Sequence, residues 1–104
     1  MKEKEVLLAL AALSQLNRLR LFRLLVVAGQ HGSTPGALGR KLKVSPATLS
    51  FHLKELVNSG LVTQQRDGRN LIYRADYAAM NALLGYMTEN CCGGPAPSAP
   101  ACEC

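Results

Sequence analysis

Residues 1 to 90 contain no cysteine, the chain holds no tryptophan, and its aromatics are three tyrosines and two phenylalanines. A disulfide-stapled secreted mini-protein would spread cysteines through its fold, so this segment must rely on an ordinary apolar core, and a reducing cytoplasm is the expected compartment. The apolar stretches are broken by Arg18, Arg20 and Arg23 and stay well short of the about eighteen residues a membrane span requires. Met1 to Glu5 alternate charges and lack the basic and apolar regions of a secretory signal. The expectation is a soluble protein with no membrane partner. No nucleophile stands with a nearby base, no glycine loop suits a phosphate, and His31 sits alone in a glycine-rich turn, so the chain does not read as an enzyme.

Acidic residues are also scarce, seven against twelve Lys and Arg, for a net charge of +5. Arg40, Lys41, Lys43, Lys54, Arg66, Arg69 and Arg74 face only Glu55 and Asp67 in the segment they span, and the charges elsewhere cancel. The whole excess belongs to one third of the chain, which favours a polyanionic partner such as double-stranded DNA. At 104 residues the chain buries only about two-thirds of its unfolded surface, so a homodimer is expected.

What is present reads as a mainly α protein with one β-hairpin. Val6, Leu7, Leu10 and Leu13 recur at helical spacing, and Asn17 is placed to cap a second helix carrying Leu19, Phe22, Leu24, Leu25 and Val26. Gly29 and Gly32 end it. Thr34 before Pro35 predicts an N-cap and a short helix to about Leu42. Lys43 and Val44 make a tight turn, and Ser45 before Pro46 starts a further helix with Leu49, Leu53, Leu56 and Val57 on one face. Together these form a helix-turn-helix. Leu61 to Arg66 and Asn70 to Arg74 alternate as strands around a turn at Asp67 and Gly68, giving a basic wing. Asp76 caps a last helix to about Glu89, with Ala79, Met80, Leu83, Leu84 and Met87 as its apolar stripe. The apolar faces of the first and last helices suit either the core or a dimer seam, with Val6, Leu10, Met80 and Leu83 as candidates. Residues 1–90 form the winged helix-turn-helix and dimerisation domain, and 91–104 a cysteine-bearing tail.

All four cysteines, Cys91, Cys92, Cys102 and Cys104, lie in that tail, divided by a Gly/Pro/Ala linker. Adjacent cysteines are poor disulfide partners for each other, because a trans peptide holds their Cα atoms about 3.8 Å apart, below the usual about 4.4 to 6.8 Å. Thiolates select soft ions, and a tail able to fold back gathers distant ligands.

The run Ser45-Pro-Ala-Thr-Leu-Ser-Phe-His-Leu-Lys-Glu-Leu56, with Gly60-Leu-Val62, Arg66-Asp-Gly-Arg69 and Tyr73-Arg74, resembles the ArsR/SmtB family. The similarity covers about residues 8 to 88. It implies a dimeric winged-helix repressor that leaves its operator when a metal or metalloid binds. Two departures narrow it: Thr34-Pro35-Gly36 stands where some members carry Cys-Val-Cys, and the segment from Asp76 to Glu89 has no histidine for a zinc site. The terminal cysteines are similar to those of the arsenite-responsive branch, in which a vicinal pair and a third cysteine follow the last helix.

Trivalent arsenic takes three thiolates in a pyramid, whereas structural zinc takes four in a tetrahedron, usually with two or more residues between paired thiols. As(III) or Sb(III) is therefore the expected inducer, with no constitutive cofactor. Cys91, Cys92 and Cys102 form the favoured set, with Cys104 as a fourth or alternative ligand. Closing the intervening loop of roughly nine residues costs about 2 kcal/mol, which thiolate bonds exceed.

For DNA, Ala47, Thr48, Ser50, Phe51 and Lys54 on the second helix of the motif are the candidate readers, with Ser45 at its start. Arg66, Arg69 and Asn70 on the wing would reach the minor groove or its phosphates, and Arg40, Lys41 and Lys43 would anchor the backbone. Phe51 stands where the family often has histidine and equally suits packing beneath the wing, while His52 suits a buried structural place. A thiol redox switch, pairing Cys91 or Cys92 with Cys102 or Cys104 on oxidation, is the competing reading of the tail.

Overall fold

Helices begin in this chain where a polar side chain replaces the missing intrahelical partner of the first amides. Thr34 Oγ1 accepts from the Ala37 amide at 3.4 Å, Ser45 Oγ from Thr48 at 3.3 Å, and Asp76 Oδ1 from Ala79 at 3.1 Å. Pro35 and Pro46 take the first helical positions, where a missing N–H does no harm. A computed structural model, which describes residues 1–93, accordingly places α1 at Glu3–Leu13, α2 at Leu16–Ala28, α3 at Pro35–Leu42, α4 at Pro46–Asn58 and α5 at Tyr77–Thr88. Strands β1 (Val62–Asp67) and β2 (Asn70–Ala75) stand between α4 and α5.

Two boundaries differ from those read in the sequence. Gln15 caps α2, its Oε1 accepting from Arg18 N–H at 2.9 Å, because its longer side chain reaches the first turn that already contains Asn17. The hairpin pairs Asp67 with Asn70, so its two-residue loop is Gly68-Arg69, one position later than expected. Gly68 holds φ +63° at the first loop position, as the twist-compatible tight turns demand.

Ser33 adds a short third edge to the hairpin through reciprocal 2.9 Å hydrogen bonds with Tyr73. Arg74 braces the same corner, donating to the Gln30 carbonyl and to Gln65 Oε1, both at 2.7 Å. The Tyr77 hydroxyl donates to the Val26 carbonyl at 2.8 Å, satisfying one of the open carbonyls at the end of α2.

The core is built from Leu21 and Leu25 of α2, Leu38 of α3, Leu53 and Leu56 of α4, and Leu61, all fully buried. Each contributes about 2 kcal/mol on leaving water, and their distribution locks α3 and α4 onto α2. Val6 and Leu83, offered above also as seam residues, belong to this protomer's own core, whereas Leu10 is exposed and Met80 partly so. Leu7, Leu8, Leu84 and Met87 are exposed with Leu10, and Leu83 is the buried residue of α5. Among the described residues no helix is long and apolar enough to cross a membrane.

Candidate nucleic-acid interface

Helix α4 has two faces of opposite chemistry. Leu49, His52, Leu53 and Leu56 point inward, and Ala47, Thr48, Ser50, Phe51 and Lys54 are exposed. The separation follows from 3.6 residues per turn. At its start Ser45 Oγ donates to Thr48 Oγ1 at 2.9 Å, leaving the Thr48 proton free to donate outward.

Every residue proposed from sequence for DNA contact is exposed: Arg40, Lys41, Lys43, Ser45, Ala47, Thr48, Ser50, Phe51, Lys54, Arg66, Arg69 and Asn70. Lys43 ends α3 in the left-handed conformation, φ 57°, and with Arg40 and Lys41 gathers positive charge at the helix end where the backbone dipole is negative. Arg74 is different; its guanidinium is committed to Gln30 and Gln65 and braces the wing.

Between α4 and the wing lies a cleft of about 420 Å³ lined by Ser50, Phe51, Lys54, Gln64 and Tyr73 among others. Phe51 is 55% exposed on its wall instead of packed beneath the wing. Gln64, absent from the sequence-derived candidates, pairs with Tyr73 across the strands. The signal was the strand period: Gln64 lies two residues from buried Val62 and therefore shares its face. A cleft walled by an amide, a hydroxyl, an ammonium and an outward aromatic ring has the donors and the apolar surface that base edges and a thymine methyl require.

His52 is buried and structural. Arg18 donates from Nη1 to its Nδ1 at 3.4 Å, which assigns the imidazole proton to Nε2. Burial first, and the Arg18 charge second, hold its pKa below the ordinary value of 6.5, with Glu55 pulling weakly the other way. Phe51 and His52 stack at a tilt with ring centres 5.6 Å apart.

At the far end of the molecule, Cys91 and Cys92 follow α5 directly in a short turn. Their sulfurs lie 3.7 Å apart, too far for an S–S bond of about 2.05 Å between them. Two sulfurs bound about 2.3 Å from one tetrahedral centre stand about 3.8 Å apart, so this separation fits a shared ion. Both cysteines are disulfide-bonded in this structure. Cys102 and Cys104 lie outside the described residues. Among the described residues no three His, Cys, Asp or Glu side chains gather as a metal site.

A family model described as a helix-turn-helix domain matches residues 13–65. The HTH-type transcriptional regulator YgaV of Escherichia coli K12 is 30% identical over 73 residues, covering 70% of this chain and 74% of that protein. Among solved structures, an ArsR-like transcriptional regulator from Rhodococcus sp. RHA1 superposes with a TM-score of 0.69 at 30% identity, over 77% of this chain and 73% of the other. A possible transcriptional regulator for arsenical resistance gives 0.67 at 32% identity, over 76% and 79%. The homodimeric winged helix-turn-helix domain of Mycobacterium bovis Mb0332 gives 0.67 at 25% identity, over 77% and 72%.

Proposed function

The chain belongs to the ArsR family of winged-helix transcriptional regulators, and from that premise we propose that it is a dimeric repressor whose operator affinity falls when As(III) or Sb(III) binds its terminal cysteines. The observation that carries this reading is the placement of Cys91 and Cys92 at the end of α5, with sulfurs 3.7 Å apart, beside the apolar residues that α1 and α5 leave uncovered.

Dimerisation is supported by that uncovered surface. Leu7, Leu8 and Leu10 on α1 and Leu84 and Met87 on α5 are large, apolar and exposed, and contiguous exposed apolar surface of this kind marks an association face. A homodimeric relative supports the same arrangement. Two copies would present two α4 helices to half-sites about one helical turn apart.

The donor set suits a thiophilic ion. Cys91 and Cys92 would supply two thiolates, and Cys102, with Cys104 as a fourth or alternative ligand, would complete the set. A bound metalloid would supply the covalent anchor. The chain's own contribution is to tie the tail to the end of α5, where the dimer face lies. A coupling of about 1 to 3 kcal/mol between that end and α4 would weaken DNA binding about 5- to 150-fold. The similarity to a possible regulator of arsenical resistance supports this choice of inducer.

The disulfide-bonded state of Cys91 and Cys92 favours a second reading, a thiol redox switch acting on the same helix end. One experiment separates the two. Fluorescence anisotropy of an operator duplex with reduced protein is titrated with arsenite, antimonite, zinc and cadmium, and a thiol-free sample with peroxide. Release by arsenite or antimonite supports the metalloid repressor; release by peroxide alone rejects it in favour of the redox switch.

A further inference from the structure

The third residue of α2, Arg18, serves two other helices with one guanidinium. Its Nε donates to the main-chain oxygen of Ala12 at 2.7 Å, and its Nη1 donates to Nδ1 of His52 at 3.4 Å. Ala12 lies in the last turn of α1, where carbonyls lack intrahelical partners and a cation opposes the dipole. His52 lies on the inner face of α4, next to Phe51 and two residues from Ser50 and Lys54. The planar fork of a guanidinium fixes distance and angle together, which a point charge on a flexible stem does not.

Apolar packing does not duplicate this bridge on its outer side. A cleft of about 220 Å³ opens there, lined by Leu8, Ala11 and Ala12 of α1, Arg18 itself, and Glu55 and Asn58 of α4. Where α1 and α4 are parted by open space, their relative setting depends on the polar link beside it.

We infer that Arg18, acting through His52, is the positioning residue that holds the reading helix α4 at a fixed setting relative to the dimer-forming helix α1, and thereby fixes the half-site spacing the dimer accepts. This rests on the dimeric DNA-binding reading above. The charged groups facing His52 are Arg18 from α2 and Glu55 one turn along α4; α1 lines the adjoining cleft with Leu8, Ala11 and Ala12, none of which titrates. Protonation of His52 removes the lone pair that Arg18 donates to and sets two cations against each other, so acid opens the bridge.

The test uses the full chain and a duplex selected from a randomised pool by the wild-type protein. Two further duplexes carry one base pair more or one fewer between the half-sites, and a fourth carries one half-site alone. Arg18→Gln and His52→Gln should each bind the selected duplex about tenfold more weakly and lose most of the preference for its spacing, with half-site affinity unchanged. Wild-type protein at about pH 5.5 should show the same loss of preference, and His52→Gln should show no further loss. Variants that retain the wild-type ranking of the duplexes, or that lose half-site and full-site affinity equally, overturn the inference. Should Arg18→Gln lose its cooperative thermal transition, the His52→Gln ranking alone decides. A wild-type chain that selects no duplex overturns the DNA-binding reading itself, and this inference with it.

Discussion

Gly32 and Tyr73 stand closer than any side chain permits: a β-carbon on Gly32 would lie 2.5 Å from the Tyr73 carbonyl oxygen. Gly32 also holds φ +67°, a conformation that side chains resist. The next residue, Ser33, exchanges two 2.9 Å hydrogen bonds with Tyr73. This close approach clamps the wing to the segment leaving α2, and so sets the wall of the cleft opposite Phe51.

Replacing Gly32 by alanine should therefore shift the strand or break the Ser33–Tyr73 pair. A loss of about 2 kcal/mol or more is expected from the backbone strain and the clash together. For a domain of this size that lowers Tm by about 10 °C, measurable by circular dichroism. Gly68→Ala lacks the clash, since nothing lies within 4 Å of that position, and should lose less through its φ of +63°. Equal melts for the two variants would contradict the clamp.

Phosphate contacts and base contacts separate by salt dependence. Lys54→Ala and Arg69→Ala should each weaken binding to all sequences and reduce the slope of log K against log salt by about 0.9, one released counterion per lost contact. Phe51→Ala should leave that slope alone and reduce discrimination at a thymine-containing position. A Phe51→Ala protein with wild-type sequence preference would remove the aromatic from the reading face.

Local chemistry made much of this fold legible. Thr34-Pro35, Ser45-Pro46 and Asp76 each carry their cap within three residues of the amide it satisfies, and Leu49, Leu53 and Leu56 announce the buried face of α4 by spacing alone. What the sequence hid depends on distant partners. Arg18 reads only as a charge interrupting an apolar stretch, because His52 lies 34 residues away. Arg74 counts among the basic residues of the DNA-binding third until Gln30, 44 residues off, is seen to hold it. The Gly68-Arg69 loop shifted by one residue because Asp67-Gly68 and Gly68-Arg69 both offer a glycine, and only the pairing of Asp67 with Asn70 decides. Of the four candidate thiols, the described residues include Cys91 and Cys92.

His52 also makes stability depend on pH. Its folded pKa is lowered by burial and by Arg18, so the unfolded chain binds the proton more readily. Stability is then full above the unfolded value of about 6.5 and declines as pH falls from there through the lowered folded value. Urea unfolding midpoints should fall between about pH 7.5 and 5.5 in the wild type and change less in His52→Gln. A wild-type midpoint that rises on acidification would contradict the assigned direction.

The exposed apolar face predicts its own disruption. Met87 is 60% exposed and Leu7 67% exposed in the protomer, so Met87→Glu and Leu7→Glu remove little from the monomer's core. Both should yield folded protein of half the wild-type mass by light scattering, with operator affinity reduced by at least tenfold because two half-sites are no longer linked. Folded variants that keep the dimer mass would place the association surface elsewhere.

The terminal cysteines admit the sharpest separation of binding from response. Cys91 and Cys92 lie after α5, while Ala47, Thr48, Ser50, Phe51 and Lys54 lie on α4, so Cys91→Ser should bind operator DNA with wild-type affinity. Serine keeps the size and polarity of the side chain and removes the soft thiolate, the property a trivalent metalloid requires. Arsenite should then fail to release Cys91→Ser, and likewise Cys92→Ser, at concentrations that release the wild type. Cys102→Ser should raise the concentration needed, and doing so more than Cys104→Ser would assign Cys102 as the third ligand. Thiol-specific labelling after arsenite treatment counts the protected sulfurs independently of DNA. A Cys91→Ser protein that still responds fully to arsenite would remove the vicinal pair from the site, and with it the proposed metalloid response at the end of α5.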